Sequence, residues 1–151
     1  MVNFLLHLSP LFGENVMAVI TEMMSQSTFE TLKSLATIFG EAGFGTRIVG
    51  GAVRDELSGK IPKDIDIVTT ATPDDMLKIA ESAGIKVVPT GIQHGTLTFV
   101  MGDDEFEITT TRVDVETDGR HAEVKWTSSF KEDASRRDFT INAMSIDILD
   151  G

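Results

Sequence analysis

Four short stretches of this chain carry side chains suited to phosphate chemistry. The first is Gly50-Gly51-Ala52-Val53-Arg54-Asp55. It reads as a turn between a short strand, Arg47 to Gly50, and a helix, Ala52 to Ser58. Paired glycines let the backbone approach a bound group closely, and the free N–H groups of the new helix favour an anion there. Arg54, one turn on, adds a charged, forked donor, and Asp55 joins the nucleotide-facing candidates. The same residues would equally make a plain strand-to-helix turn with a surface arginine.

The second stretch is Asp64-Ile65-Asp66. Residues two apart on a strand point to one face, about 6–7 Å apart along the backbone. Two carboxylates so placed repel each other and suit a strand poorly. A divalent cation would compensate them. Magnesium is the natural choice, because it is hard and takes both carboxylate and phosphate oxygens. The third stretch is Phe106-Glu-Ile-Thr-Thr-Thr-Arg112. On a strand, Glu107, Thr109 and Thr111 share one face, and Phe106 and Ile108 share the other. Beside the Asp64–Thr70 strand, Glu107 would be a third carboxylate near the metal; elsewhere it is a solvent-facing acid. Arg112 would hold a phosphate or pair with a neighbouring acid. The fourth stretch is Arg136-Arg137-Asp138-Phe139-Thr-Ile-Asn142. Its arginines offer planar donors to a triphosphate, Asp138 can accept from ribose hydroxyls, and Asn142 completes the nucleotide-facing set. Alone, this stretch would pass for a charged helix end.

Mixed elements must position these groups. Residues 1–27 read as a leader, with a short amphipathic helix from Glu14 to Gln26. Thr28 is the expected N-cap of a helix carrying Phe29, Leu32, Leu35, Ala36 and Phe39, ended by Gly43 and Gly45. Asp64 to Thr70 alternates as a strand, with Asp64, Asp66 and Val68 on one face and Ile65 and Ile67 on the other. Thr72 and Pro73 open a helix running to Ala83. Gly95–Met101 and Glu105–Arg112 form a hairpin about the turn Gly102-Asp-Asp104. Val113 to Trp126 is polar and reads as a mobile loop. Phe130 to Asn142 reads as helix in two pieces, and Ala143–Leu149 as a strand. The expectation is an α+β domain, 28–151, with a mixed or mostly antiparallel sheet backed by helices.

Composition bounds the class. The chain has 151 residues, net charge −11, 41% hydrophobic residues and no cysteine. Such a length suits one domain, and such a composition argues against global disorder. Disulfides, thiolate zinc sites and cysteine nucleophiles are excluded. No run of about 18 apolar residues is present to span a membrane. Acidic balance argues against gripping nucleic acid by bulk charge. The first 27 residues contain no Lys or Arg and lack the chemistry of a targeting signal. An intracellular setting is expected, with cytoplasm and mitochondrion both open.

In order and spacing, these stretches resemble the head (catalytic palm) domain of class II CCA-adding enzymes, in the nucleotidyltransferase superfamily that includes bacterial poly(A) polymerase and the DNA polymerase β fold. The matching segments are Arg47-Ile-Val-Gly-Gly-Ala-Val-Arg-Asp55, Lys63-Asp-Ile-Asp-Ile-Val-Thr-Thr-Ala-Thr-Pro73, His94-Gly95-Thr96, Phe106-Glu-Ile-Thr-Thr110, Asp118-Gly-Arg-His-Ala-Glu-Val124 and Arg136-Arg-Asp-Phe-Thr-Ile-Asn-Ala-Met144. The resemblance runs from about Phe29 to Gly151 and implies a nucleotidyltransferase palm that adds CMP and AMP, from CTP and ATP, to the tRNA 3′ end. It implies that Asp64 and Asp66 bind magnesium with Glu107 close by. Gly50, Gly51 and Arg54 would hold the triphosphate, and Arg136, Arg137 and Asp138 would contact phosphate and ribose. Val113–Trp126 would be the loop that helps the switch from C to A.

The family selects bases with a Glu-Asp-x-x-Arg pattern in a later helical domain. Here Glu132-Asp-Ala-Ser-Arg136 precedes the Arg136–Asn142 motif, so that role is not assigned to it. The expectation is a fragment or one half of a split enzyme, needing a helical partner or the remainder of the same enzyme to grip tRNA. Rival readings are a poly(A) polymerase or a partial, CC-only or A-only, adding enzyme. A silent nucleotide-binding module is the non-enzyme alternative.

Overall fold

A computed structural model describes residues 24–49, 66–116, 122–135 and 145–149. Helix α1 (Gln26–Glu41) buries Phe29, Leu32, Leu35, Ala36 and Phe39, the stripe its periodicity requires. Its N-cap is Ser25 rather than Thr28: the Ser25 hydroxyl accepts from the Thr28 N–H at 3.1 Å. Met24 and Phe29, both in the core, occupy the two positions of a hydrophobic staple around that cap. The Thr28 hydroxyl instead donates to Asp104 at 2.9 Å. Met24 is thus part of the packed core. Of the expected helix from Glu14 to Gln26, residues 14–23 lie outside the described residues, and Gln26 opens α1.

Strands β1 (Thr46–Val49) and β2 (Asp66–Thr69) follow, then helix α2 (Pro73–Ala83). That helix is bounded as its sequence predicts, by a Thr72–Asp75 capping box and a left-handed Gly84. Next come β3 (Lys86–Gly91), a 3₁₀ turn (Ile92–His94), β4 (Thr96–Met101) and β5 (Asp104–Thr110). β4 and β5 pair from Met101↔Asp104 to Thr96↔Thr109, around the two-residue turn Gly102-Asp103 with Gly102 at φ +63°. The chain continues through β6 (Arg112–Glu116), β7 (Ala122–Trp126), helix α3 (Phe130–Ser135) and β8 (Ser145–Asp147).

Six strands form one mixed sheet in the order β3-β4-β5-β2-β1-β8, in which β2 and β5 run parallel and the other neighbours antiparallel. Helices α1 and α2 join one face of it in a single core with Ile48, Ile67, Leu97, Phe99, Phe106 and Ile108. Phe39 meets Phe99 with ring centroids 5.4 Å apart. Because β2 is central, Ile67, Val68 and Thr69 are all buried, and alternation survives only in which layer each side chain enters.

One expectation is corrected, and one strand is added to those expected. Within the expected Val113–Trp126 loop the described residues are strands, β6 paired antiparallel with β7 from Arg112↔Trp126 to Glu116↔Ala122, and residues 117–121 lie outside the described residues. The polar residues of these strands mask β-branched Val113, Val115 and Val124, which favour extended backbone. Lys86–Gly91 is a strand for which no expectation was raised. Pro89 disguises it, and proline is tolerated because β3 is an edge strand. The Ala52–Ser58 helix and the second helical piece, from Arg136, lie outside the described residues. Among the described residues no helix is long and apolar enough to cross a membrane.

Candidate active site

Asp66 opens β2 and Glu107 lies midway along β5, both exposed. The register Ile67↔Ile108, Val68↔Thr109 sets Asp66 beside Glu107 one step earlier. Ile67 and Ile108 face the apolar core, so the two acids emerge on the opposite face of the sheet. Neighbouring strands lie about 4.8 Å apart, which brings the carboxylates within reach of one cation. Thr98 of β4 stands opposite Glu107 on its other side and shares a 2.9 Å hydrogen bond with Thr90. Thr96 and Thr109 make the same contact at 2.9 Å in the adjoining row. The acid pair is therefore bordered by hydroxyls.

This pair fits a hard divalent ion. Magnesium is held by one or two carboxylates, with water and substrate phosphates completing its shell. Among the described residues no group of three or more His, Cys, Asp or Glu gathers as a closed metal site. Asp64, Gly50, Gly51, Arg54, Asp55, Arg136, Arg137, Asp138 and Asn142 lie outside the described residues. Arg112 is not brought to the acids. It is half-buried at the start of β6, five residues beyond Glu107 and past the end of β5.

Several positioning contacts escaped the sequence reading. Gly95, at φ +80°, lies directly under the Trp126 ring, leaving no room for a side chain. Phe130 of α3 also packs closely on Gly45, and the Arg47 guanidinium lies 4.4 Å from the centre of its ring. Helix α3 is capped by Ser129, whose hydroxyl accepts from the Glu132 N–H at 3.2 Å. Ser129-x-x-Glu132 is a capping-box signature, so this helix start was readable. Asp133, 3% exposed, accepts from the Arg112 N–H at 2.9 Å.

The family model described as "Poly A polymerase head domain" matches residues 46–151. The "CCA tRNA nucleotidyltransferase 1, mitochondrial" of Danio rerio is 48% identical over 140 residues, 89% of this chain and 32% of its own length. Its Homo sapiens counterpart is 53% identical over 121 residues, 79% of this chain and 28% of its own. This chain thus spans about a third of the length of the curated relatives it matches. Among solved structures, the Bacillus stearothermophilus CCA-adding enzyme in complex with CTP matches with TM-score 0.66 and 34% identity, over 83% of this chain and 29% of that one. A CCA-adding enzyme in apo form II matches with TM-score 0.73 and 27% identity, over 88% and 32%. These likenesses agree: the chain belongs to the poly A polymerase head-domain family of the CCA-adding tRNA nucleotidyltransferases, and its fold is their nucleotidyltransferase palm.

Proposed function

We propose that this chain is the catalytic head of a CCA-adding tRNA nucleotidyltransferase, formed by residues 28–151 together with residues 24–27, which pack with them. It transfers CMP and AMP from CTP and ATP to the 3′ end of tRNA. The observation that carries this reading is the pairing of exposed Asp66 and Glu107 on adjacent parallel strands. Relatives at 48% and 53% identity bear that enzyme's name, and one solved relative is a tRNA nucleotidyltransferase complexed with a primer tRNA and an incoming ATP analog.

In this proposal Asp64 and Asp66 hold magnesium, with Glu107 as the neighbouring third carboxylate. Bound there, magnesium lowers the pKa of the attacking 3′-hydroxyl and neutralises charge on the triphosphate. The backbone at Gly50 and Gly51, with Arg54 and Asp55, seats the triphosphate at a helix start. Arg136, Arg137 and Asp138, with Asn142 beside them, fix phosphate and ribose. Arg112, past the end of β5, reaches phosphate only at the margin of the site. The 3′-oxygen bonds to the α-phosphorus, the α–β phosphoanhydride bond breaks, and pyrophosphate leaves with its electron pair. Little covalent chemistry falls to the protein, so positioning and electrostatics dominate. Grip on tRNA and choice of base belong to a helical partner or to the remainder of the same enzyme. We place the protein inside the cell, in the mitochondrion or the cytoplasm.

The test is nucleotide incorporation into a tRNA lacking its CCA end, by this chain alone and joined to the helical remainder of a relative. Ordered addition of C, C and A supports the proposal. Runs of A mark a poly(A) polymerase, and CC-only or A-only products mark a partial enzyme. Magnesium-dependent nucleotide binding without transfer, even with the helical remainder supplied, marks a silent module. Full-rate extension by Asp66→Ala refutes the assignment of the site.

A further inference from the structure

The pairing of β3 with β4 contains an irregularity beside the acid pair. Val88 pairs with Thr98 and Gly91 with Thr96, three steps along β3 against two along β4. Such a bulge re-aims a side chain, and bulges are frequent next to active sites. In an unbroken register Thr90 would stand opposite Thr96, about 6–7 Å along β4 from Thr98. Thr96 is instead bonded to Thr109, and the Thr90 hydroxyl meets that of Thr98 at 2.9 Å. Thr98 is only 6% exposed, so its hydroxyl depends on protein partners. Leu97 and Phe99, on either side of it, belong to the apolar core. Thr98 therefore emerges on the face that carries Glu107, its direct partner across the strands. Side chains so opposed have Cβ atoms about 4.5–5.5 Å apart.

Counting protons gives this arrangement a direction. Each threonine has one O–H, and the contact between Thr90 and Thr98 consumes one of the two. Were Thr98 the donor, its oxygen lone pairs would face the Glu107 carboxylate. With Thr90 as donor, the Thr98 O–H is left for that carboxylate, and exposed Thr90 still accepts from water. A hydrogen bond to a carboxylate is about twice as strong as a neutral one, which favours the second direction. We propose that Thr98, oriented by Thr90, is a positioning residue for Glu107. It draws one carboxylate oxygen toward β4 and leaves the other toward Asp66, on the strand at the opposite side of β5. An exposed glutamate gives up rotamer freedom when it engages an ion, and a donor set in advance reduces that loss. This rests on the metal site proposed above and adds two residues that are not acids to it.

The experiment measures how much magnesium gives half the maximal rise in Tm of the full chain. Thr98→Val keeps the branched shape without the hydroxyl. It should need about tenfold more magnesium, the loss of one hydrogen bond to a charged group. Thr98→Ser restores the O–H and should lie within about twofold of the unaltered chain. Thr90→Val removes the orienting donor and should need about threefold more magnesium. In a Glu107→Ala background, Thr98→Val should shift the requirement by less than about twofold, because the group it positions is gone. A general disturbance of the sheet would act equally in both backgrounds. An unchanged requirement in Thr98→Val, an equal loss in Thr98→Ser, or a full tenfold loss in the Glu107→Ala background would overturn the inference. If magnesium left the Tm of the unaltered chain unmoved, the metal site itself would fall, and this inference with it. Should circular dichroism show Thr98→Val unfolded, Thr90→Val decides. A raised magnesium requirement there supports the inference, and an unchanged one overturns it.

Discussion

The contact between Gly95 and Trp126 makes the sharpest energetic prediction. A Cβ built on Gly95 would lie 2.7 Å from Trp126 Cζ3, 2.8 Å from its Cη2 and 3.3 Å from Thr110 Cβ. Gly95→Ala therefore carries two separate costs. Holding alanine at the left-handed φ of +80° costs about 1 kcal/mol or a little more. Displacing the indole costs about 1–3 kcal/mol where a site is overpacked. Trp126 is 38% exposed and can swing outward, which puts the second cost near the low end, about 1 kcal/mol. Together they amount to about 2 kcal/mol, or about 4–8 °C in Tm for a chain of this size. A double-mutant cycle separates them. In a Trp126→Ala background only the backbone cost remains, so Gly95→Ala should cost about 1 kcal/mol less there than in the unaltered chain. Urea unfolding followed by far-ultraviolet circular dichroism reads all four proteins, including those without tryptophan. Additivity within about 0.3 kcal/mol would show that the ring does not rest on Gly95, and the reasoning would fail.

Asp66→Ala should cut nucleotide transfer about a thousandfold, the loss of several kcal/mol of metal-assisted charge stabilisation, while circular dichroism stays unchanged because the side chain is exposed. Thr72→Ala removes the hydroxyl half of the α2 capping box, leaves the backbone N–H of residue 72 to donate to Asp75, and should cost about 1 kcal/mol in urea unfolding. Glu107→Gln relieves two like charges held side by side and should raise stability by less than about 1 kcal/mol. Magnesium should raise the Tm of the unaltered chain and do so less in that variant, as measured by thermal melts with and without the ion.

What was legible in the sequence divides by how local the deciding forces are. Helix α2 was readable to the residue because Thr72, Pro73, Asp75 and Gly84 act within one or two turns. The β4–β5 hairpin was readable from Gly102, whose φ of +63° a two-residue turn demands. The start of α1 was not, because Ser25 and Thr28 are both good caps and burial of Met24 with Phe29 chose between them. β3 and the β6–β7 hairpin were missed for a similar reason. Each is a strand at a margin, where Pro89 is tolerated and polar residues are common, so the apolar alternation that announces a buried strand is weak. Of the site, the types of Asp66 and Glu107 were legible and so was the face of Glu107. Their adjacency was not, because it depends on which strands pair across the 34 residues that separate β2 from β5 in sequence.

That pairing explains how the chain holds two exposed acids side by side. Ile48, Ile67, Ile108 and Leu97 form one row across four strands, each no more than 1% exposed. Slipping β5 by one residue would drive Glu105 and Glu107 into this apolar layer and expel Ile108, at a cost of several kcal/mol for each buried charge. The position of the acids is thus dictated by the packing of the residues beside them. Direction matters as much as register. In an antiparallel pair centred on Ile67 and Ile108, Asp66 would stand opposite Thr109, and Glu107 opposite Val68. Only the parallel arrangement puts each acid one step before its isoleucine on the same side and at the same level. A parallel pair demands a long crossover, and α2, β3 and β4 lie in the chain between β2 and β5. On this argument the helix and hairpin between the two strands are part of the architecture of the proposed site: they contribute no acid to it, yet fix the direction in which Glu107 arrives.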